Sequence, residues 1–99
     1  MVIIGMMSYP PESVKEQVKR FKEQPPLPTY ITTRGPYISS ELGVGIKTIA
    51  IYEFDESKSS EARGILGARY AKYFGIPGLT YSLNEWLEAK EALKTIGMG

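Results

Sequence analysis

Cysteine and histidine are both absent from this 99-residue chain. Without cysteine there is no disulfide framework, no thiol nucleophile and no zinc–thiolate site. Without histidine the commonest metal ligand and the usual neutral-pH acid–base group are missing, and a histidine-ligated haem is excluded. Charge of one sign is lacking too: 12 Lys and Arg against 11 Asp and Glu leave +1 at pH 7. That balance recommends neither nucleic acid nor an anionic membrane as a partner. No apolar run is long enough to span a bilayer, and the apolar N-terminal stretch lacks the basic flank of a signal peptide. These absences set the expectation of a cytoplasmic protein with no cofactor, no nucleic-acid partner and no membrane partner.

What remains is 42% hydrophobic and 23% charged, the balance of a globule with one modest core, so a single domain is expected over residues 1–99. The chain reads as one βαβ half written twice. Met1 to about Ser40 and Gly43 to about Trp86 each run strand, polar turn, amphipathic helix, strand. A first strand is expected over Val2–Ser8, apolar on both parities, as in strands buried on both faces. Helix 1 follows from Pro11 to Glu23, with Ser13 and Glu16 spaced for a capping box and Glu16 and Arg20 for an i,i+4 pair. A polar strand over Thr29–Ser40 is interrupted by Gly35-Pro36, which places it at an edge with a bulge. The third strand, Val44–Phe54, is again apolar on both parities. Helix 2 spans Ser57–Phe74 and stops at Gly75, the fourth strand alternates over Leu79–Glu85, and a short helix aligns Trp86, Ala89, Leu93 and Ile96. In helix 2 the small residues Gly64, Gly67, Ala68 and Ala71 face away from an apolar stripe, which suggests close approach by another element or a merely solvated side.

The order βαββαβ is the ferredoxin-like split βαβ arrangement, an α+β sandwich with an antiparallel sheet in the order 4-1-3-2. Both helices of that arrangement lie on one side of the sheet. Two-sided apolar central strands therefore leave an apolar face without cover. Ile3, Met7, Ile49 and Ile51 share one numerical parity and Val2, Ile4, Ile46 and Ala50 the other. A second copy packed sheet on sheet is the expected cover, and the alternative is the C-terminal helix folding back over its own sheet.

With these features the chain resembles the dimeric α/β-barrel superfamily of ferredoxin-like proteins, on architecture and on segments such as Ile51-Tyr-Glu-Phe-Asp55 and Tyr81-Ser-Leu-Asn-Glu-Trp86. The resemblance implies a homodimer and a small-molecule site in or beside the barrel. Cofactor-free monooxygenase or isomerase chemistry is one alternative, and a non-catalytic structural or interaction module the other. No active-site residue carries over from the resemblance.

The residues themselves offer Arg34, Tyr37, Lys47, Tyr52, Glu53 and Tyr81 as ligand-binding candidates. Arg34 beside the bulge suits a carboxylate or phosphate, or else merely guards an edge. Lys47 and Glu53 share a parity but lie about 20 Å apart along a strand, too far to pair directly. The tyrosines suit a flat, partly polar molecule, or simply the core. Glu53, Asp55 and Glu56 offer oxygen ligands for a hard cation, but capping of helix 2 by Asp55 or Ser57 is the preferred reading and no metal site is expected. An RNA-recognition motif is rejected, because the third strand has no aromatic before Tyr52 and the first has none over Val2–Met7.

Overall fold

The computed structural model describes residues 1–98. Four strands, β1 (Val2–Tyr9), β2 (Thr32–Glu41), β3 (Gly45–Glu53) and β4 (Thr80–Trp86), form one antiparallel sheet in the order β2-β3-β1-β4. Read from the β4 edge that order is 4-1-3-2. Helix α1 (Val14–Lys22) connects β1 to β2, α2 (Ser59–Ala71) connects β3 to β4, and α3 (Ala89–Thr95) closes the chain.

The helix boundaries show what local sequence leaves undecided. Helix 1 opens with a 3-10 turn, Pro11–Ser13, and only then becomes α-helical. The capping box does not form. Ser13 Oγ donates 2.6 Å to the Pro77 carbonyl instead, tying the start of α1 to the loop before β4. Glu16 pairs with Arg20 at 2.9 Å, as their spacing requires. Arg20 also donates to the carbonyls of Lys72 and Phe74, capping the C-terminal end of α2. Before α2, Asp55 Oδ2 accepts from Ser57 N at 3.0 Å and from Ser57 Oγ at 2.6 Å. These bonds hold the Asp55 carboxyl below its ordinary pKa. Trp86 belongs to β4 and not to the last helix, which begins three residues later.

Register decides which residues share a face. Val2 pairs with Glu53 and Ile4 with Ile51, so even residues of β1 stand beside odd residues of β3. The grouping by numerical parity is therefore corrected. Ile3, Gly5, Met7 and Tyr9 line one face with Ile46, Thr48, Ala50 and Tyr52, while Val2, Ile4, Met6 and Ser8 line the other with Lys47, Ile49, Ile51 and Glu53.

The first of these faces carries the helices. Its core joins Ile3, Met7, Ala50 and Tyr52 of the sheet to Ala62, Leu66 and Tyr70 of α2, with Tyr73 and Ile76 beyond the helix. Gly5 is essential here. A methyl group at that position would lie 2.5 Å from Tyr70 Cζ, so only glycine lets the tyrosine ring settle against the strand. Gly64 is exposed, and a side chain added at Gly64 or Gly67 would find nothing within 4 Å.

Candidate functional site

The second face has no helix over it. Cross-strand rows on this side run Thr32–Glu53–Val2–Trp86, Arg34–Ile51–Ile4–Asn84, Tyr37–Ile49–Met6–Ser82 and Ser39–Lys47–Ser8–Thr80. Apolar groups occupy the middle and polar ones the rim. Met6, Tyr37 and Trp86 are each at least half exposed, and Leu93 and Ile96 of the C-terminal segment are exposed too, so that segment does not blanket the sheet.

The bulge in β2 shapes this surface. Between Arg34, opposite Ile51, and Tyr37, opposite Ile49, β2 spends three residues where β3 spends two. The extra residue reverses parity, so Arg34 and Tyr37 stand on the same face despite an odd separation. Gly35 takes φ +91° within the bulge, a conformation that side-chain-bearing residues rarely adopt. Arg34 Nη2 lies 2.9 Å from Glu53 Oε1, a diagonal pair across two strands, and the residues the bulge repositions are Tyr37 and Ser39.

A basin of about 500 Å³ opens on the lower half of this face. Met6, Ile49 and Tyr37 supply apolar surface, and Ser8, Ser39, Ser82 and Lys47 surround it with hydroxyls and one cation. Ser8 Oγ and Thr80 Oγ1 lie 3.1 Å apart, and Lys47 Nζ lies 3.3 Å from Glu41 Oε1. A surface of this kind takes a molecule with an apolar body and a few accepting groups. The described residues hold no cluster of three or more acidic side chains suited to a metal ion, and Asp55 is engaged in its cap.

The six candidate residues divide three ways. Tyr37, Lys47 and Tyr81 border the basin. The ring of Tyr81 nevertheless lies on the helix side, stacked on Phe74 with centroids 6.0 Å apart and tilted against Tyr70 at 5.4 Å. Arg34 and Glu53 share the open face but neutralise each other outside the basin. Tyr52 is on the opposite face, buried, with its hydroxyl 2.9 Å from that of Tyr70. Burial raises the pKa of both phenols, most strongly that of Tyr70, and holds them protonated. Met6, Ser8, Ser39, Ile49 and Ser82 were not among the candidates. The signal that finds them is the register, which pairs opposite parities of β1 and β3.

Neither protein-family models nor curated proteins nor solved structures give a match to this chain. Among the described residues no helix is long and apolar enough to cross a membrane.

Proposed function

We propose that this domain is a small-molecule-binding module that works as a face-to-face homodimer, with its ligand held between the two sheets in the basin. One observation carries the reading: a basin of about 500 Å³, apolar at its centre and hydroxyl-rich at its rim, lies on a sheet face that no element among the described residues covers. Four strands about 4.8 Å apart and some eight residues long present roughly 500 Å² per protomer, or about 1,000 Å² for a pair, near the lower limit of specific interfaces. The aliphatic centre of Ile4, Met6, Ile49 and Ile51 supplies the driving force for association. The rim supplies both signs of charge, Arg34 with Glu53 at one end and Lys47 with Glu41 at the other, so two copies meet without net repulsion. The ligand that suits this basin has an apolar body and a hydroxyl, carbonyl or carboxylate directed at Lys47 and the rim hydroxyls. Catalysis has less support, because every tyrosine whose acidity the fold alters is shifted away from neutral pH.

A purely structural dimer is the second reading, and a specific observation favours it: Lys47, Arg34 and the Ser8–Thr80 pair already have partners within the chain. Sedimentation equilibrium at micromolar concentration, followed by thermal-shift screening against a metabolite library, separates the readings. A species of twice 11.0 kDa that gains melting temperature with a ligand supports the binding module. A dimer that no compound stabilises leaves the structural reading, and a monomer at every concentration overturns both. Ile49→Glu, placing a charge at the centre of the open face, should yield a folded monomer.

A further inference from the structure

The opposite, helix-covered side of the sheet contains a second cavity of about 130 Å³. The geometry points to a binding site there for a single aromatic ring carrying an anionic or strongly accepting group, of the benzoate or phenolate class. The two sites share Met7, Ile38 and Thr48 in their linings, but Met6 and Ile49 belong to the basin alone and Ala50, Tyr52 and Arg69 to this cavity alone.

The cavity exists because the nine-residue α1 is too short to roof the whole sheet. Val18 and Phe21 of α1 form one wall and Ile38 of β2 the other, with Ile38 left 70% exposed at the mouth. Ala50 contributes only a methyl group to the floor, which leaves space between the larger neighbours Met7, Thr48 and Tyr52. The volume is close to that of a roughly 150 Å³ apolar protein cavity known to take benzene, which makes one ring the natural occupant. Phe21, Tyr52, Tyr70 and Tyr73 offer ring faces and edges for the offset and edge-to-face contacts aromatic rings prefer.

The polar groups select the substituent. Tyr52 and Tyr70 hold two hydroxyl protons between them and make one bond to each other, so the second proton is available to an acceptor. Among the described residues, Arg69 is the only charged one lining the cavity, and no carboxylate faces it. The Arg69 guanidinium spends one donor on the Pro25 carbonyl at 2.6 Å, and its fork has further N–H groups to offer. Burial pushes the phenols of Tyr52, Tyr70 and Tyr73 up in pKa, and the nearby Arg69 charge opposes that rise at each of them. A bound anion would meet the same field. A ring bearing an ammonium would meet a cation with nothing to neutralise it.

The test is an NMR titration of the intact protein with benzoate, toluene and benzylammonium. Benzoate is expected to move the Ala50 and Val18 methyls and the Tyr52 ring while leaving Met6 and Ile49 still. Its affinity should exceed that of toluene by about tenfold, the scale of one charge-assisted contact, with benzylammonium the weakest. Arg69→Gln should abolish the preference yet retain toluene binding, which shows the cavity intact, and Arg69→Lys should restore part of the preference. Benzoate binding no tighter than toluene in the parent protein, perturbations centred on Met6 and Ile49, or no response at Ala50 at millimolar ligand would each overturn the assignment.

Discussion

The two faces of this sheet are made of alternate residues of the same four strands, and they solve opposite problems. The covered face meets helices, so its polar atoms find partners inside: Tyr9 donates to Gln17, Gln17 donates to the Met7 sulfur, and Tyr52 shares a bond with Tyr70. The open face meets water, so its aliphatic centre is ringed by ion pairs and hydroxyls that solvent also serves. Exposed ion pairs of this kind contribute little to stability, whereas a buried aromatic or leucine contributes kilocalories. The difference teaches that one face holds the fold together while the other is free to bind. Both candidate sites lie where that division is incomplete: the basin where the open face is concave, the cavity where the helix cover runs short.

The largest expected effect tests the division directly. Leu66 is fully buried against the covered face, and Leu66→Ala should cost about 3 kcal/mol in urea unfolding. Ile51→Ala on the open face should cost about 1 kcal/mol or less in dilute monomer, because its side chain is only partly withdrawn from water. Equal costs would erase the distinction between the faces. A cost for Ile51→Ala that grows with protein concentration would sharpen it, since a partner then buries what the single chain leaves open.

The buried phenols give the next test. Tyr70→Phe removes the bond to Tyr52 and should cost about 1 kcal/mol at pH 7. The folded-state pKa of Tyr70 is raised by burial above the unfolded value of 10.0. Its contribution is therefore fully present below about pH 10 and is lost as pH rises through the higher folded value. Urea midpoints measured from neutral to strongly alkaline pH should fall above about pH 10 in the parent and fall less in Tyr70→Phe. Identical alkaline profiles would show that the covered face does not disfavour the phenolate.

The smallest effect concerns the bare side of α2. Gly67→Ala adds a methyl group that meets nothing within 4 Å and should stabilise the helix by about 0.5–1 kcal/mol. A loss of stability or of assembly in that variant would reveal a partner pressed against this side.

Much of the architecture was legible because it is written locally. Alternation along Leu79–Glu85, the Asp55 cap and the Gly35-Pro36 interruption each act within a few residues, whereas helix 2, expected to run to Phe74 and stop at Gly75, ends at Ala71. The site was less legible. Tyr37 and Lys47 were identified as residues with useful chemistry, but nothing near Lys47 in the chain indicates Ser8, Ser39 or Ser82, which stand beside it only through pairing with three other segments. Tyr52 looked equally eligible for the basin but lies on the covered face, because its position in the register turns it toward α2.

By itself, then, the sequence determined the alternation of strands and helices, the apolar character of both sides of the central strands, and the bulge at Gly35-Pro36, since periodicity and backbone restriction operate within one segment. Tertiary structure alone decided which parities share a face, that Tyr37 and Ser39 join Lys47 at the basin, and that Arg34 is neutralised by Glu53. Those outcomes depend on the register between separate strands, which no single segment specifies. A shift of one residue in that register would exchange the two faces completely, and only the fit of Tyr70 over Gly5 and of the helices over the core forbids it.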